Sequence, residues 1–163
     1  MTRPELHPAL DPLAFLVGRW EGAGVGDYPT IEPFHFGHEV EVSHDGRPLL
    51  AHRSRSWLLD SDTGERVRPL ASESGFWRPG EDGVVELVLA HGAGAVEIWL
   101  GAVSGPTLAL ATDVVARTGT AKEITAGRRH YGLVEDELLF RYDMAAVGQD
   151  LQPHLSSRLR RVA

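Results

Sequence analysis

Bulky and polar residues alternate with a period of two along most of the chain, and this pattern predicts β-strands rather than helices. The clearest example is the stretch 34–43, which reads FHFGHEVEVS and places a large side chain at every second position. Turn-forming groups of Gly, Asp, Pro and Ser recur roughly every 8–12 residues, a spacing typical of all-β proteins. The predicted strands are an opening strand within Phe15–Thr30 and the segments 34–43, 48–59, 67–77, 84–91, 95–103, 107–115, 122–133, 137–147 and 152–162.

Ten short strands joined by local turns predict an all-β, up-and-down antiparallel β-barrel, because closure into a barrel removes exposed strand edges. A two-sheet sandwich is the alternative. The segment 8–16 (PALDPLAFL) predicts a short N-terminal helical turn that closes one mouth of the barrel. The length of 163 residues predicts one domain over residues 9–163, preceded by a flexible N-terminus over residues 1–8.

The opening strand carries the pattern G-x-W-x-G-x-G, formed by Gly18, Trp20, Gly22 and Gly24. All four residues share one face of the strand, and glycine inside a strand marks a bend or a close approach of backbone or ligand. Two interpretations follow: barrel curvature alone, or a small-residue wall that borders a ligand cavity. A turn, Asp27–Thr30, follows these residues. A phosphate-binding loop is therefore not predicted, because it requires a helix directly after the glycines.

Composition excludes several classes of function. The net charge of −7 argues against general binding to nucleic acid or to acidic membranes. The sequence contains no cysteine, which excludes disulfides, zinc–thiolate sites and iron–sulfur clusters. Residues 1–12 lack the apolar core of a signal peptide, and the sequence has no run of about 20 apolar residues. A cytoplasmic location is therefore expected.

His154 is the candidate ligand residue, because Pro153 fixes the backbone before it and cannot donate to a strand ladder. The alternative is an ordinary solvent-exposed histidine. One imidazole suffices for haem iron, whose porphyrin supplies four nitrogens, but not for zinc. A cupin-like metal site is less well supported, because the sequence has no His-x-His or His-x-x-x-His pair; the histidines concerned are His35, His38, His44, His52 and His91. The basic cluster Arg128–His130 is either a solvated face or a contact for a haem propionate.

Three segments together resemble the nitrobindin family, in its actinobacterial single-domain type. They are GRWEGAG at 18–24, YPTI at 28–31 and LQPHL at 151–155. The resemblance implies a ten-stranded barrel related in shape to fatty-acid-binding proteins. It also implies one haem b per chain in the barrel mouth, with His154 as the proximal ligand. Thr30 matches the family's threonine near the haem, and Arg128 is our nominee for the cation at the haem edge.

The resemblance further implies an enzyme, a haem-dependent peroxynitrite isomerase that converts peroxynitrite to nitrate on ferric haem and can bind nitric oxide. It implies an open, apolar distal side without a distal histidine. Two other functions stay open: a non-catalytic carrier or sensor of a hydrophobic ligand, haem or nitric oxide, and an interaction domain with a filled core. The small-molecule partners expected are peroxynitrite and nitric oxide. The oligomeric state stays open, with a homodimer among the alternatives.

Overall fold

The computed structural model describes residues 2–163 and is a closed barrel of ten antiparallel strands. Each strand pairs with its neighbours in sequence, and β1 pairs with β10 to close the barrel. The predicted up-and-down barrel is therefore confirmed. The strands are β1 (Gly18–Tyr28), β2 (Ile31–Ser43), β3 (Leu50–Leu59), β4 (Arg66–Pro79), β5 (Val84–His91), β6 (Ala95–Ser104), β7 (Thr107–Arg117), β8 (Ile124–Val134), β9 (Glu137–Ala146) and β10 (Gln152–Arg161).

A 3-10 helix, Pro8–Leu16, closes one end of the barrel, as the sequence predicts. Its side chains Leu10, Leu13 and Leu16 are fully buried, and the indole of Trp20 donates a hydrogen bond to the Leu16 carbonyl at 2.9 Å. Among residues 2–163, no helix has the length and apolar character needed to cross a membrane. Met1 lies outside the described residues, and the predicted division into a flexible segment 1–8 and a domain 9–163 stays a prediction.

The up-and-down order gives the barrel two distinct ends. The end closed by the helix, called the lower end here, also carries the connections β2–β3, β4–β5, β6–β7 and β8–β9. The opposite, upper end carries the connections β1–β2, β3–β4, β5–β6, β7–β8 and β9–β10. Because β10 begins at the upper end, His154 lies there, with the turn that contains Thr30.

The glycines of β1 serve barrel curvature and not the lining of a cavity. A Cβ built on Gly22 would collide with the carbonyl oxygen of Arg158, and one built on Gly24 would collide with that of Ser156. Both oxygens belong to β10, the hydrogen-bonded neighbour of β1. Of the two interpretations of these glycines, the structure therefore favours barrel curvature over a small-residue wall that borders a ligand cavity. The glycines instead lie beside the strand that carries this histidine and allow its backbone to approach.

Large side chains fill the lower and middle parts of the lumen, whereas the upper end is open. Trp20, Trp77 and Trp99 are almost fully buried and form the centre of the core. At the upper end, by contrast, every residue of β4 from Arg66 to Ser72 is exposed, so both faces of that strand reach solvent. Since strand residues alternate between the lumen and the outside, exposure on both faces shows that the lumen is not packed with side chains there.

Candidate functional site

His154 lies at an irregularity of β10. The register between β10 and β9 shifts between Pro153 and Leu155, so a β-bulge falls at His154. Bulges re-aim side chains, and they are common next to functional sites. Pro153 cannot donate to a strand ladder, which is compatible with a strand edge or a bulge, and the position is a bulge because the closed barrel pairs β10 on both sides.

One hydrogen bond fixes the tautomer of His154. Its Nδ1 lies 3.0 Å from the carbonyl oxygen of Asp27, at the end of β1. A carbonyl only accepts, so Nδ1 carries the proton and Nε2 keeps its lone pair. A histidine held in this way is the arrangement found for metal-ligating imidazoles, whose second nitrogen donates to a carbonyl or carboxylate.

Three aromatic rings surround this imidazole. The ring centroids of Tyr28, Tyr142 and Phe34 lie 5.3, 5.9 and 6.3 Å from that of His154, each at a steep angle. Tyr28 is itself fixed, because its hydroxyl bonds the backbone of Met144 and Ala146. The imidazole is therefore half-buried, rigid and turned towards other lumen-facing side chains, not towards bulk water.

Burial lowers the pKa of His154, because the charged imidazolium loses hydration among these rings. The hydrogen bond to Asp27 opposes this effect, and the positive charge of Lys122 adds to it. The neutral ring therefore persists to a lower pH than an ordinary histidine allows. Neutral imidazole is the form that binds a metal ion.

A cleft lies at the upper end of the barrel. Its volume is about 730 Å³, and it is lined by the end of β3, the start of β4 and the β5–β6 turn. Volumes of about 300–1,000 Å³ are typical of cofactor and ligand sites. A single imidazole with a free Nε2, flat aromatic neighbours and an open lumen together fit a planar iron porphyrin, which requires only one protein ligand. The residues present therefore fit a haem.

The cleft wall is less apolar than the resemblance implies. Arg55, Arg66 and Arg68 line it beside Trp57, and His91 reaches it from β5. His91 is already engaged by carboxylates, since its Nε2 makes a short contact with Glu97 and its Nδ1 lies 3.6 Å from Glu73. The cleft wall thus carries three arginine side chains and a histidine that already contacts two carboxylates.

A buried ion pair between Arg129 and Glu73 supports the site from below. Two guanidinium nitrogens of Arg129 donate to the two Glu73 oxygens at 2.7 and 2.6 Å. His52 also donates to Glu73 at 3.1 Å, and Trp77 donates to the other nitrogen of His52. Despite the opposing effect of burial, Arg129 holds the pKa of Glu73 well below its usual value. Both groups therefore stay charged.

Arg129 connects this ion pair to the His154 site. Its guanidinium carbon lies 4.9 Å from the ring centroid of Trp99 and 5.3 Å from that of Tyr142. Tyr142 in turn packs against His154. The ion pair thus braces the inner side of the aromatic wall that holds the imidazole, and cation–π attraction adds to the packing.

Comparison with known proteins assigns the chain to a family. Residues 9–161 match the model of the THAP4-like, heme-binding beta-barrel domain. The chain belongs to this family. A peroxynitrite isomerase of Nocardioides sp. is 53% identical over 156 residues, which is 96% of this chain and 94% of the relative. A ferric nitrobindin-like protein of Streptomyces griseus is 45% identical over 160 residues, 97% of this chain and 84% of the relative.

The fold is also similar to that of a solved family structure. The crystal structure of Rv2717c from M. tuberculosis aligns with a TM-score of 0.85 and 41% identity, over 98% of this chain and 100% of that one. The nitrobindin resemblance seen in the motif residues is confirmed by these matches. The roles of individual residues in this chain are argued from their contacts in the structure.

The structure places the predicted site residues in different parts of the barrel. Thr30 is exposed in the β1–β2 turn, at the same end of the barrel as His154. Arg128 is exposed on the outer face of β8, whereas its neighbour Arg129 points into the lumen. The predicted contacts of Thr30 with haem and of Arg128 with a propionate stay predictions. The motif residue Trp20 lies in the core near the lower end, away from the site.

The other interior histidines, His38, His52 and His91, make separate contacts inside the barrel. His38 bonds the hydroxyls of Ser157 and Ser54 at 2.8 and 2.9 Å, and burial lowers its pKa to about 4. Within residues 2–163, the His, Asp and Glu side chains form no group of three that could hold a metal ion. The interior histidines therefore serve packing and hydrogen bonding in the barrel, and His154 differs from them in having a free nitrogen at the open end.

Several site residues were missed from the sequence. Tyr142, Phe34 and Lys122 approach His154 only because distant strands meet at the upper end. The alternation of the sequence could have placed Arg129 on the inward face of β8. Arg129 shares a strand face with Tyr131 and Leu133, whereas Arg128 shares one with His130. The period-two rule thus already favoured Arg129 as the inward arginine.

The buried ion pair gives the first testable prediction. Replacing Arg129 with Met should lower the free energy of unfolding by about 3 kcal/mol, because Glu73 loses its cationic partner in the interior and keeps the hydrogen bond from His52. The matched change Arg55→Met removes an exposed partner of Glu39 and should cost less than about 1 kcal/mol. Urea unfolding followed by tryptophan fluorescence measures both. Equal losses in the two variants would contradict a stabilising role for the buried pair.

Proposed function

We propose that the protein binds one haem b at the upper end of the barrel through Nε2 of His154 and isomerises peroxynitrite to nitrate there. Nitric oxide is proposed as a second ligand of the same iron. One observation carries the proposal: the Asp27 carbonyl holds the His154 ring with its lone pair on Nε2, at the end where the lumen is open. The absence of cysteine is consistent with a site of action in a reducing cytoplasm.

The family match supports haem as the ligand, since the family is defined by a heme-binding barrel domain. The activity is supported by relatives of about half identity over nearly the whole chain, which carry the name peroxynitrite isomerase. The geometry adds a reason within the chain. His154 is the lone interior histidine of the upper end with a hydrogen-bond donor on one nitrogen and a free second nitrogen, in the part of the chain that the structure describes.

The chain's own residues have three roles in this proposal. His154 would supply the single protein ligand through Nε2. The rings of Tyr28, Phe34 and Tyr142 exclude water from the histidine side and fix its angle. Arg68 and its neighbours in the cleft wall attract an anionic substrate despite the net negative charge. When bound, ferric haem supplies a Lewis-acidic position at which peroxynitrite rearranges.

Lys122 is the better candidate for pairing with a haem propionate. It is the only lysine in the sequence and lies in the β7–β8 connection at the upper end. Its Nζ is 6.0 Å from the ring centroid of Tyr28, and its charge acts on His154. Arg128, in contrast, extends from the outer face of β8. We therefore assign the propionate contact to Lys122.

The ligand assignment is tested by loading the purified protein with hemin. His154→Ala should lose the Soret band of the complex and weaken hemin binding by at least about 100-fold, because the single protein ligand is gone. His130→Ala, on the outer face of β8, is the matched control and should bind as the wild type does. An unchanged spectrum in His154→Ala would refute the assignment.

The same titration has a defined pH dependence. Because the pKa of His154 lies below its ordinary value, hemin affinity should hold as the pH falls through the usual imidazole range. It should drop only at more acidic pH, where the ring takes up a proton. A drop centred at the ordinary histidine pKa of about 6.5 would contradict the burial argument.

The propionate contact is tested by comparing two single substitutions. Lys122→Gln should weaken hemin binding by up to about fivefold, as expected for an ion pair worth at most about 1 kcal/mol near the surface. Arg128→Gln should leave the affinity unchanged. Titration at low and high salt measures both, and salt should reduce the difference between wild type and Lys122→Gln. The opposite ranking of the two variants would favour Arg128.

The activity is tested by stopped-flow decay of peroxynitrite with nitrate quantified as the product. The haem-loaded protein should accelerate conversion to nitrate at least about tenfold over an equal concentration of free hemin, which corresponds to about 1.4 kcal/mol of barrier. The apoprotein and hemin-treated His154→Ala are the controls. Haem binding without acceleration would favour the carrier or sensor alternative.

A further inference from the structure

A second histidine faces the lumen at the upper end of the barrel. His91 is the last residue of β5 and continues the inward face formed by the buried Val85, Leu87 and Leu89. In the closed strand order, five steps separate β5 from β10 in either direction, so the two strands lie on opposite walls. The open end of the lumen therefore has an imidazole on each of two opposite walls, His154 on one and His91 on the other.

The two imidazoles have similar partners at Nδ1 and different ones at Nε2. Nδ1 of His154 lies 3.0 Å from the Asp27 carbonyl oxygen, and Nδ1 of His91 lies 3.6 Å from a carboxylate oxygen of Glu73. An oxygen partner at Nδ1 is typical of histidines that ligate through Nε2. Among the described residues, Nε2 of His154 has no partner, whereas Nε2 of His91 makes a short contact with Oε1 of Glu97. That contact occupies the nitrogen that would bind a metal, whichever partner carries the proton.

Glu97 is a buried carboxyl group that the proposed function has not yet used. Its side chain is 2% exposed, and its Oε1 also accepts a hydrogen bond from the indole of Trp99 at 3.2 Å. Burying a carboxyl group costs free energy, and an apolar side chain of similar volume commonly packs at lower cost. The neighbouring Arg129–Glu73 pair is already balanced in charge. The position of Glu97 therefore indicates a role at the cleft and not in stability.

We propose that Glu97 prevents His91 from binding the iron of a haem held by His154, and so keeps the second axial position open. This inference rests on the proposed function, since it requires haem on His154. Haem iron accepts an axial ligand on each face, and cytochromes c hold it with two protein side chains. A second histidine would occupy the position at which peroxynitrite or nitric oxide binds. Glu97 is thus a positioning residue that acts through His91.

The test is the absorption and electron paramagnetic resonance spectrum of the ferric, hemin-loaded protein. The wild type should be high-spin and should become low-spin when imidazole is added, because one axial position is open. Glu97→Leu should convert at least about half of the haem to the low-spin form without added imidazole, since the released His91 competes as an intramolecular ligand. Its affinity for added imidazole should fall at least about twofold, in proportion to the fraction of haem left open.

A double variant and a matched control identify the cause of the change. His91→Ala combined with Glu97→Leu should restore the high-spin spectrum, which a purely structural role of Glu97 would not produce. Glu86→Leu removes a half-exposed carboxyl group of β5, 3.8 Å from Arg78, and should keep the wild-type spectrum.

A second substitution guards against loss of folding in Glu97→Leu. Glu97→Thr places a β-branched side chain in the strand that is too short to reach His91, and it should give the same low-spin form with circular dichroism unchanged. A high-spin spectrum in both variants would overturn this proposal and leave the haem site of His154 as proposed. So would a low-spin wild type that becomes high-spin in His91→Ala, because His91 would then already be a ligand. A wild type that binds no hemin would overturn this proposal together with the proposed function.

Discussion

Pairing between the first and last strands is the constraint on which the rest of the structure depends. β1 and β10 form a continuous ladder from Trp20↔Arg161 to Gly26↔Leu155. The glycines of β1 permit it, because a side chain at Gly22 or Gly24 would occupy the space of the β10 carbonyls. The ladder ends where the Asp27 carbonyl accepts from His154. The same β1–β10 pairing therefore closes the barrel and brings the Asp27 carbonyl to His154. Without this pairing, the sheet would be open and the imidazole would lose its hydrogen-bond acceptor.

The lumen changes in character from the lower end to the upper. Leucines of the helix and three tryptophans pack the lower part, where dispersion and the hydrophobic effect dominate. The Arg129–Glu73 pair follows, held between aromatic rings and bonded to His52. Above it, the packing ends and the cleft begins. The packed lower part of the lumen therefore keeps the open upper end rigid, because the side chains that contact His154 pack on buried neighbours.

Burial also determines the charge of the interior histidines. Desolvation lowers the pKa of His38 to about 4 and that of His154 below its usual value. His52 is engaged at both ring nitrogens: Trp77 donates to one, and the other donates to Glu73. Arg129 and Glu73 form a directly paired, opposite charge in the middle of the lumen. A neutral imidazole at the open end follows from the same low polarity that the packed base creates.

The sequence by itself determined the ten strands, the closing helix and the place of His154 at a break in the strand ladder, whereas the closed barrel decided that this break is a bulge and not an edge. These features depend on local rules: period-two alternation, turn residues, and the missing N–H of Pro153. The family and its motif residues were likewise readable from three short segments.

Only the tertiary structure decided what meets His154 and what supports it. Asp27 lies 127 residues from His154 in sequence, and Glu73 lies 56 from Arg129. No local pattern encodes which distant strands become neighbours at one end of a barrel. The curvature role of the glycines was undecided for the same reason, since it depends on the backbone of a strand at the other end of the chain.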